Sequence, residues 1–249
     1  MKTFRFVVFA VTLASLFTSL ELVHAQYDRR AQEGSTRPIL ISISVTPIPD
    51  APFSATVFTD WTNRFADGTT RTIKNHRTIA RDSAGRIFQE RRFLTPDSDK
   101  QETRITQLEF SDPTTNEQYM CDPYVRACQL YNYFPSTASA TNGRFRVEAG
   151  DVKSEDLGHD VIEGLDTAGT RETTVIPEGV IGNDRPLAVV KEFWFSPRLG
   201  LDLVTNRVDP RSGSAKFRVT NINLSEPDSK LFMPPSDFTV IDGRKPAAQ

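Results

Sequence analysis

From Pro38 onward apolar and polar residues exchange places with a period of two: Ile39, Ile41, Ile43 and Val45 alternate with Leu40, Ser42 and Ser44. Period two sends successive side chains to opposite faces of a strand, whereas a helix needs a repeat near 3.6. The pattern predicts strands over residues 38–45, 53–65, 70–81, 86–94, 103–111, 117–121 and 128–134. It resumes over 160–165, 169–176, 187–196, 199–208 and 215–224. Between them stand Asp67-Gly68, Asp82-Ser83-Ala84-Gly85, Asp112-Pro113 and Asp209-Pro210-Arg211-Ser212-Gly213, all turn chemistry. Closely spaced turns between short alternating runs give an antiparallel meander. No run of ten residues carries a convincing helical period, although 154–159 leaves room for one turn. The expected class is mainly β, with few or short helices.

The amino terminus sets the compartment. Lys2 and Arg5 precede an apolar stretch from Phe6 to Leu20, and Val23-His24-Ala25 offers a small-x-small cleavage site. That is the plan of a secretory signal peptide cut after Ala25. The stretch is shorter than the roughly 20 residues of a membrane span, and the competing reading is an uncleaved anchor. The expectation is a signal peptide over 1–25 and one β-rich domain over 26–249, periplasmic or secreted and not membrane-spanning once cleaved. Residues 135–150 are rich in Ser, Thr, Ala, Asn and Gly and are expected to form a flexible loop.

Cys121 and Cys128 are the only two cysteines. An even count in an exported chain reads as a disulfide. Asp122-Pro123 starts a turn between them, so the bridge is expected to pin the base of a hairpin loop. The spacing is not the CxxC of redox sites. A formal charge of −2, with both signs interspersed, offers no electrostatic footprint for nucleic acid.

Chemistry-bearing motifs are sparse. His76 and His159 stand far apart in sequence, without the HxxxH spacing of a metal site or a Gly-x-Ser-x-Gly elbow. Glu90 and Glu109 are a candidate carboxylate pair with no further support. No catalytic residue, metal or cofactor is assigned, and the chain is expected not to be an enzyme. The most aromatic strand, 187–196, puts Leu187, Val189, Phe193 and Phe195 on one face and Val190, Glu192 and Trp194 on the other. A strand apolar on both faces is covered on both. One reading makes it core. Another joins Phe53, Val57, Trp61, Phe193 and Phe195 into a groove for an apolar ligand, and a third makes the aromatic face an interface for an envelope protein. Arg86, Arg91 and Arg92 are candidates for a basic rim facing an anionic headgroup, against the reading of solvated strand residues. Asn223-Leu224-Ser225 is an N-glycosylation sequon, relevant only in a eukaryotic source.

Residues 160–241 resemble the end of the LolA-like periplasmic lipoprotein-carrier superfamily. The similarity rests on Glu192-Phe193-Trp194-Phe195-Ser196-Pro197, the Asp209-Pro210 turn, and Lys216 to Ile222. Pro227-Asp228, Leu231-Phe232, Pro234-Pro235 and Phe238 then close the chain. The resemblance implies a strongly curved antiparallel half-barrel whose concave face binds acyl chains. The chain departs from that family in having no helical segment to cover the cavity and no arginine matched to the one that holds the carriers closed. Fold therefore carries over, and the lipoprotein-carrier role does not. The expected function is an exported, non-enzymatic binding protein holding an apolar or lipid-like ligand. The alternative is a secreted or envelope protein–protein interaction module without bound ligand.

Overall fold

The computed structural model describes residues 43–96, 102–134 and 151–244. The leader, its cleavage site and the segment 135–150 lie outside the described residues. The chain divides into two compact units, Met1–Pro38 and Ile39–Gln249, and every described residue belongs to the second.

The alternating runs become strands. β1 (Phe53–Arg64), β2 (Thr70–Arg81), β3 (Ile87–Arg92), β4 (Ile105–Asp112), β5 (Glu117–Asp122) and β6 (Ala127–Asn132) form a first meander. β7 (Asp151–Ile162), β8 (Leu165–Ile176), β9 (Leu187–Ser196), β10 (Leu201–Asp209) and β11 (Gly213–Asn223) form a second. A single 3-10 turn, Ser229–Phe232, and a short β12 (Thr239–Asp242) follow. Spatial order is β12-β6-β5-β4-β3-β2-β1-β11-β10-β9-β8-β7. The meanders are therefore joined through one non-sequential pair, β1–β11, with Val57 opposite Val219 and Thr59 opposite Phe217. All pairings are antiparallel except β12 with β6.

Among the described residues the result is mainly β, as the alternation predicts: one open, mostly antiparallel sheet of 12 strands, curved as the resemblance implies, with a single short helical turn. Register shifts at Ser54/Thr56, Arg91/Arg92, Asp156/Gly158 and Asp202/Val204 mark bulges, and bulges bend and twist the strands that carry them. Because neighbouring strands alternate in direction, the β1–β2, β3–β4, β5–β6, β8–β9 and β10–β11 connections share one rim. The β2–β3, β4–β5, β7–β8 and β9–β10 turns share the other.

Three predicted elements differ, the first being the expected strand 160–165, which the Glu163-Gly164 turn cuts, since both residues take positive φ and end β7 before β8 begins. Ile43–Val45, within the expected strand 38–45, joins no ladder. Arginine side chains take the carbonyls of this segment instead: Arg77 Nη2 donates to Ile43 O at 2.8 Å. Arg81 reaches Thr46 O through Nη1 and Ala51 O through Nε, both at 2.8 Å. Residues 154–159 hold no helical turn. They lie inside β7, where Gly158 takes φ 82° beside the bulge.

Each face of the sheet has its own core. On the side carrying Phe53, the strap residues Ile43 and Val45 pack with Phe53, Val57, Ile79, Leu203, Phe217 and Val219. On the side carrying Phe58, the second core contains Ala80, Phe88, Phe110, Cys121, Cys128 and Phe232. The segment after β11 crosses that side, lowering Leu231 and Phe232 onto it. Asp228 Oδ1 caps the 3-10 turn by accepting from Lys230 N at 2.9 Å. The Cys121–Cys128 disulfide joins directly opposed residues of β5 and β6 and closes the hairpin loop.

Candidate apolar ligand site

Alternation along β1 puts Phe53, Val57 and Trp61 on one face. Register carries that face across the sheet, from Thr59 to Phe217, to Thr205 and to Phe193. Phe195 follows Phe193 by two residues and shares its side. The structure thus brings all five sequence-selected residues to one face, spread over β1 and β9 with β11 and β10 between. They lie at different depths. Phe53 and Val57 are fully buried, packed with the strap. Phe193 is 3% exposed, whereas Trp61 and Phe195 are half-buried. Trp61 Nε1 donates to Ser212 O at 3.0 Å, which fixes the indole over the β10–β11 turn.

Phe217 and Leu203 complete this face and were not selected from sequence. Phe217 was legible, since Ala215, Phe217 and Val219 alternate. Leu203 was legible in the same way, from the alternation of Leu199, Leu201 and Leu203, although the bulge at Asp202/Val204 leaves it without a register partner on β9.

Further up the same strands the face becomes charged. Arg207 stands opposite Lys191 on β9, and Asp209 follows, 3% exposed. Burial pushes the Asp209 carboxyl upward, but hydrogen bonds from Arg211 and Arg207 outweigh it and hold it well below the usual carboxylate range. Arg211 Nε lies 2.8 Å from Oδ1, and Arg207 Nη2 lies 2.7 Å from Oδ2. The face therefore grades along the strands from apolar to ionic.

The other side of β1, β11, β10, β9, β8 and β7 is a ladder of mixed charge. Lys74, Asp60, Lys216, Asn206, Glu192, Arg171 and Glu155 stand opposite one another in successive strands. Arg171 binds Glu192 at 2.7 Å and Glu155 at 3.2 Å, and Arg218 binds Asp60 at 3.5 Å. Opposite charges in facing cross-strand positions stabilise a sheet. They also neutralise each other, so the 420 Å³ groove lined by Asp60, Glu192, Asn206 and Lys216 holds little net field. Trp194 lies on this side across Gly169, where a Cβ would come within 2.8 Å of the indole. A second cavity of about 480 Å³ lies beside the chain crossing, between Phe110, Tyr119, Phe232 and Phe238.

Arg86, Arg91 and Arg92 do not form a shared basic rim. Arg91 makes a two-pronged pair with Glu109 at 2.9 and 3.0 Å. Arg92 binds Glu90 at 2.9 Å, and Arg86 binds Asp82 at 2.6 Å. Glu90 and Glu109 are adjacent in the ladder to Leu108 and Gln89 respectively, so they point to opposite faces and do not form a carboxylate pair. His76 lies 3.8 Å from the exposed Glu102 and stacks at 5.7 Å on Phe58. His159 is exposed on β7. Among the described residues no group of three or more His, Cys, Asp or Glu is placed to hold a metal ion, and no helix is long and apolar enough to cross a membrane.

No family model matches the sequence, and no curated protein matches it. Among solved structures the chain is similar to an uncharacterized conserved protein from Thermus thermophilus, at 11% identity and a TM-score of 0.42, over 77% of this chain and 90% of that one. It is also similar to the Pseudomonas aeruginosa MucA/MucB complex structure, at 11% identity and a TM-score of 0.42. That match covers 77% of this chain but 58% of that one, so this chain spans less than two thirds of its length. A LolA superfamily protein from Nitrosomonas europaea is similar at 10% identity and a TM-score of 0.31, over 75% of this chain and 91% of that one.

Proposed function

We propose that this is an exported, non-enzymatic binding protein that holds an apolar or lipid-like ligand against the Phe53 face of its open sheet. The observation that carries the reading is the asymmetry between the two sides of β1 and β8–β11. One side gathers Phe53, Val57, Trp61, Phe193, Phe195 and Phe217, while the other carries the self-neutralised charge ladder. Phe53 and Val57 supply the packed floor. Trp61 and Phe195, being half-buried, are the side chains that meet the ligand. Burial of apolar area at about 25 cal/mol per Å² drives binding, and the band at Arg207 and Lys191 orients a polar end.

Native mass spectrometry of the protein, followed by organic extraction, tests this. The expected result is stoichiometric lipid on a folded monomer, lost in Trp61→Asp and Phe195→Asp variants that keep their β circular dichroism. A folded protein that is bare, both as purified and after incubation with lipid, overturns the reading. Self-association or a retained protein in that bare state favours the interaction-module alternative.

A further inference from the structure

The cavity beside the chain crossing, about 480 Å³ in volume, lies on the Phe58 side of the sheet, away from the Phe53 face. Cavities of this size and apolar character hold small molecules. Four aromatic rings line it: Phe110 and Tyr119 from β4 and β5, and Phe232 and Phe238 from the crossing segment. Phe110 and Phe232 are buried and Tyr119 and Phe238 half-buried, so the walls reach from the core to solvent.

The walls are held in place. Pro234 and Pro235 fix φ at two positions of the crossing segment, and Phe238 N closes the turn on Pro235 O at 3.0 Å. Thr239 N then donates to Arg126 O at 2.9 Å, which ties the segment to the β5–β6 hairpin. On the opposite wall Tyr119 Oη donates to Glu117 Oε2 at 3.0 Å. A site this well bonded loses little freedom when a ligand enters.

Charge names the class of occupant. Among the described residues, two guanidinium groups and four carboxylates line the cavity or bind the groups that do. Arg86 is committed to the buried Asp82: its N and Nε donate to the two carboxylate oxygens at 2.8 and 2.6 Å. Its guanidinium also lies 5.3 Å from the centre of the Phe232 ring. Arg244 is shared by two acids, Asp242 at 2.9 Å and Glu117 at 3.1 Å. The fourth acid, Asp112, stands opposite Glu117 across β4 and β5, and no ion pair holds it among the described residues. Its Oδ1 accepts from Thr114 N at 2.8 Å and Thr115 N at 3.3 Å. Burial pushes this carboxyl upward, but the Thr114 and Thr115 hydrogen bonds and the charge of Arg86 outweigh it and hold it below the usual carboxylate range. Even with both arginines counted the surroundings are negative, and an anion would meet an arginine already taken by Asp82. The rings add to this preference, because aromatic faces carry partial negative charge and attract cations within about 6 Å of the centroid. A quaternary ammonium ion suits both features: it spreads its charge over an apolar surface and has no N–H to satisfy.

We propose that this cavity binds a small quaternary ammonium cation, its methyl groups against the aromatic walls and its charge facing Asp112. The site is independent of whether the Phe53 face carries a ligand.

Titration of the isotope-labelled protein, followed by nuclear magnetic resonance, tests it with three probes of one shape. These are choline, the neutral alcohol in which carbon replaces the choline nitrogen, and the anion trimethylacetate. Choline is expected to give saturable shifts at the Tyr119 and Phe238 signals. The neutral alcohol is expected to bind about tenfold more weakly, and trimethylacetate not to bind. Asp112→Asn keeps the oxygen that caps the β4–β5 turn and is expected to weaken choline about fivefold. Phe238→Leu keeps the wall apolar and is expected to weaken choline about fivefold while leaving the neutral alcohol unchanged. Circular dichroism confirms that each variant is folded, and either variant alone is a sufficient test. Absence of saturable shifts at this cavity overturns the proposal, as does equal binding of choline and its neutral counterpart. Tighter binding of trimethylacetate, or unchanged choline affinity in a folded variant, overturns it as well.

Discussion

Individual side chains in this protein are mostly committed to one another. Arg77 and Arg81 illustrate it: burial first pulls their guanidinium groups down, to about 9 and about 10, yet both remain charged at neutral pH and bind backbone carbonyls of the strap. Asp209 is the opposite case, an acid stabilised in its charged form by two arginines. Its folded pKa lies below the ordinary value of 3.8. Between those values the unfolded chain binds the extra proton, so the stabilisation is present above the unfolded pKa and is lost as pH falls through the folded one. Asp209→Asn is expected to cost about 3 kcal/mol at pH 7, since it leaves two arginines around a neutral group. In urea titrations the gap to the parent should shrink by about 1.4 kcal/mol per pH unit below about pH 3.8. A gap that stays constant down to pH 2 would assign the loss to packing instead of the carboxylate.

At the scale of elements, the hairpins are the part most directly written in the residues. The Asp67-Gly68 turn, the Thr70–Arg81 return strand and the Leu187–Ser196 strand fall where alternation and turn chemistry place them. These are local properties, set by φ preferences and side-chain period over a few residues. The strap at 43–51 broke the rule: it alternates like a strand, but arginine side chains supply its donors in place of a neighbouring strand, and nothing in its own sequence reveals that. The β5–β6 hairpin carries a further expectation. Its disulfide closes a short loop, so Cys121→Ala/Cys128→Ala should lower unfolding free energy by about 2–3 kcal/mol, read by denaturant titration. The change should also loosen the Tyr124 tip, seen as faster amide exchange at 124–126. If exchange there is unaltered while global stability falls, the tip is ordered by Asp122 alone.

On the scale of the whole molecule, β1 belongs to both meanders and unites them. The core on the Phe53 face draws Ile79 and Ile87 from the first and Leu165, Leu199 and Phe217 from the second. Neither meander can complete that core without the other, so the described sheet should unfold as one unit. Calorimetric and van't Hoff enthalpies should agree, and Phe217→Ala, costing about 3–5 kcal/mol, should lower a single transition. Two resolved transitions would mean that the β1–β11 seam is weaker than the meanders it joins. The candidate site has the same origin: its residues lie on β1 and on β9–β11, and they meet only through this seam.

The sequence by itself determined the strand class, the hairpins, the disulfide partners and the side of each strand that is apolar, because period, turn residues and cysteine spacing act over short distances. It grouped Phe53, Val57 and Trp61 by alternation, and Phe193 with Phe195 likewise. Tertiary structure alone decided the rest. Pairing β1 with β11 placed those two groups on a common face. Folding also sent Glu90 and Glu109 to opposite sides and neutralised Arg86, Arg91 and Arg92. Each of these depends on which distant strands become neighbours and in what register, a choice made by the burial of the whole core and carried by no short stretch of residues.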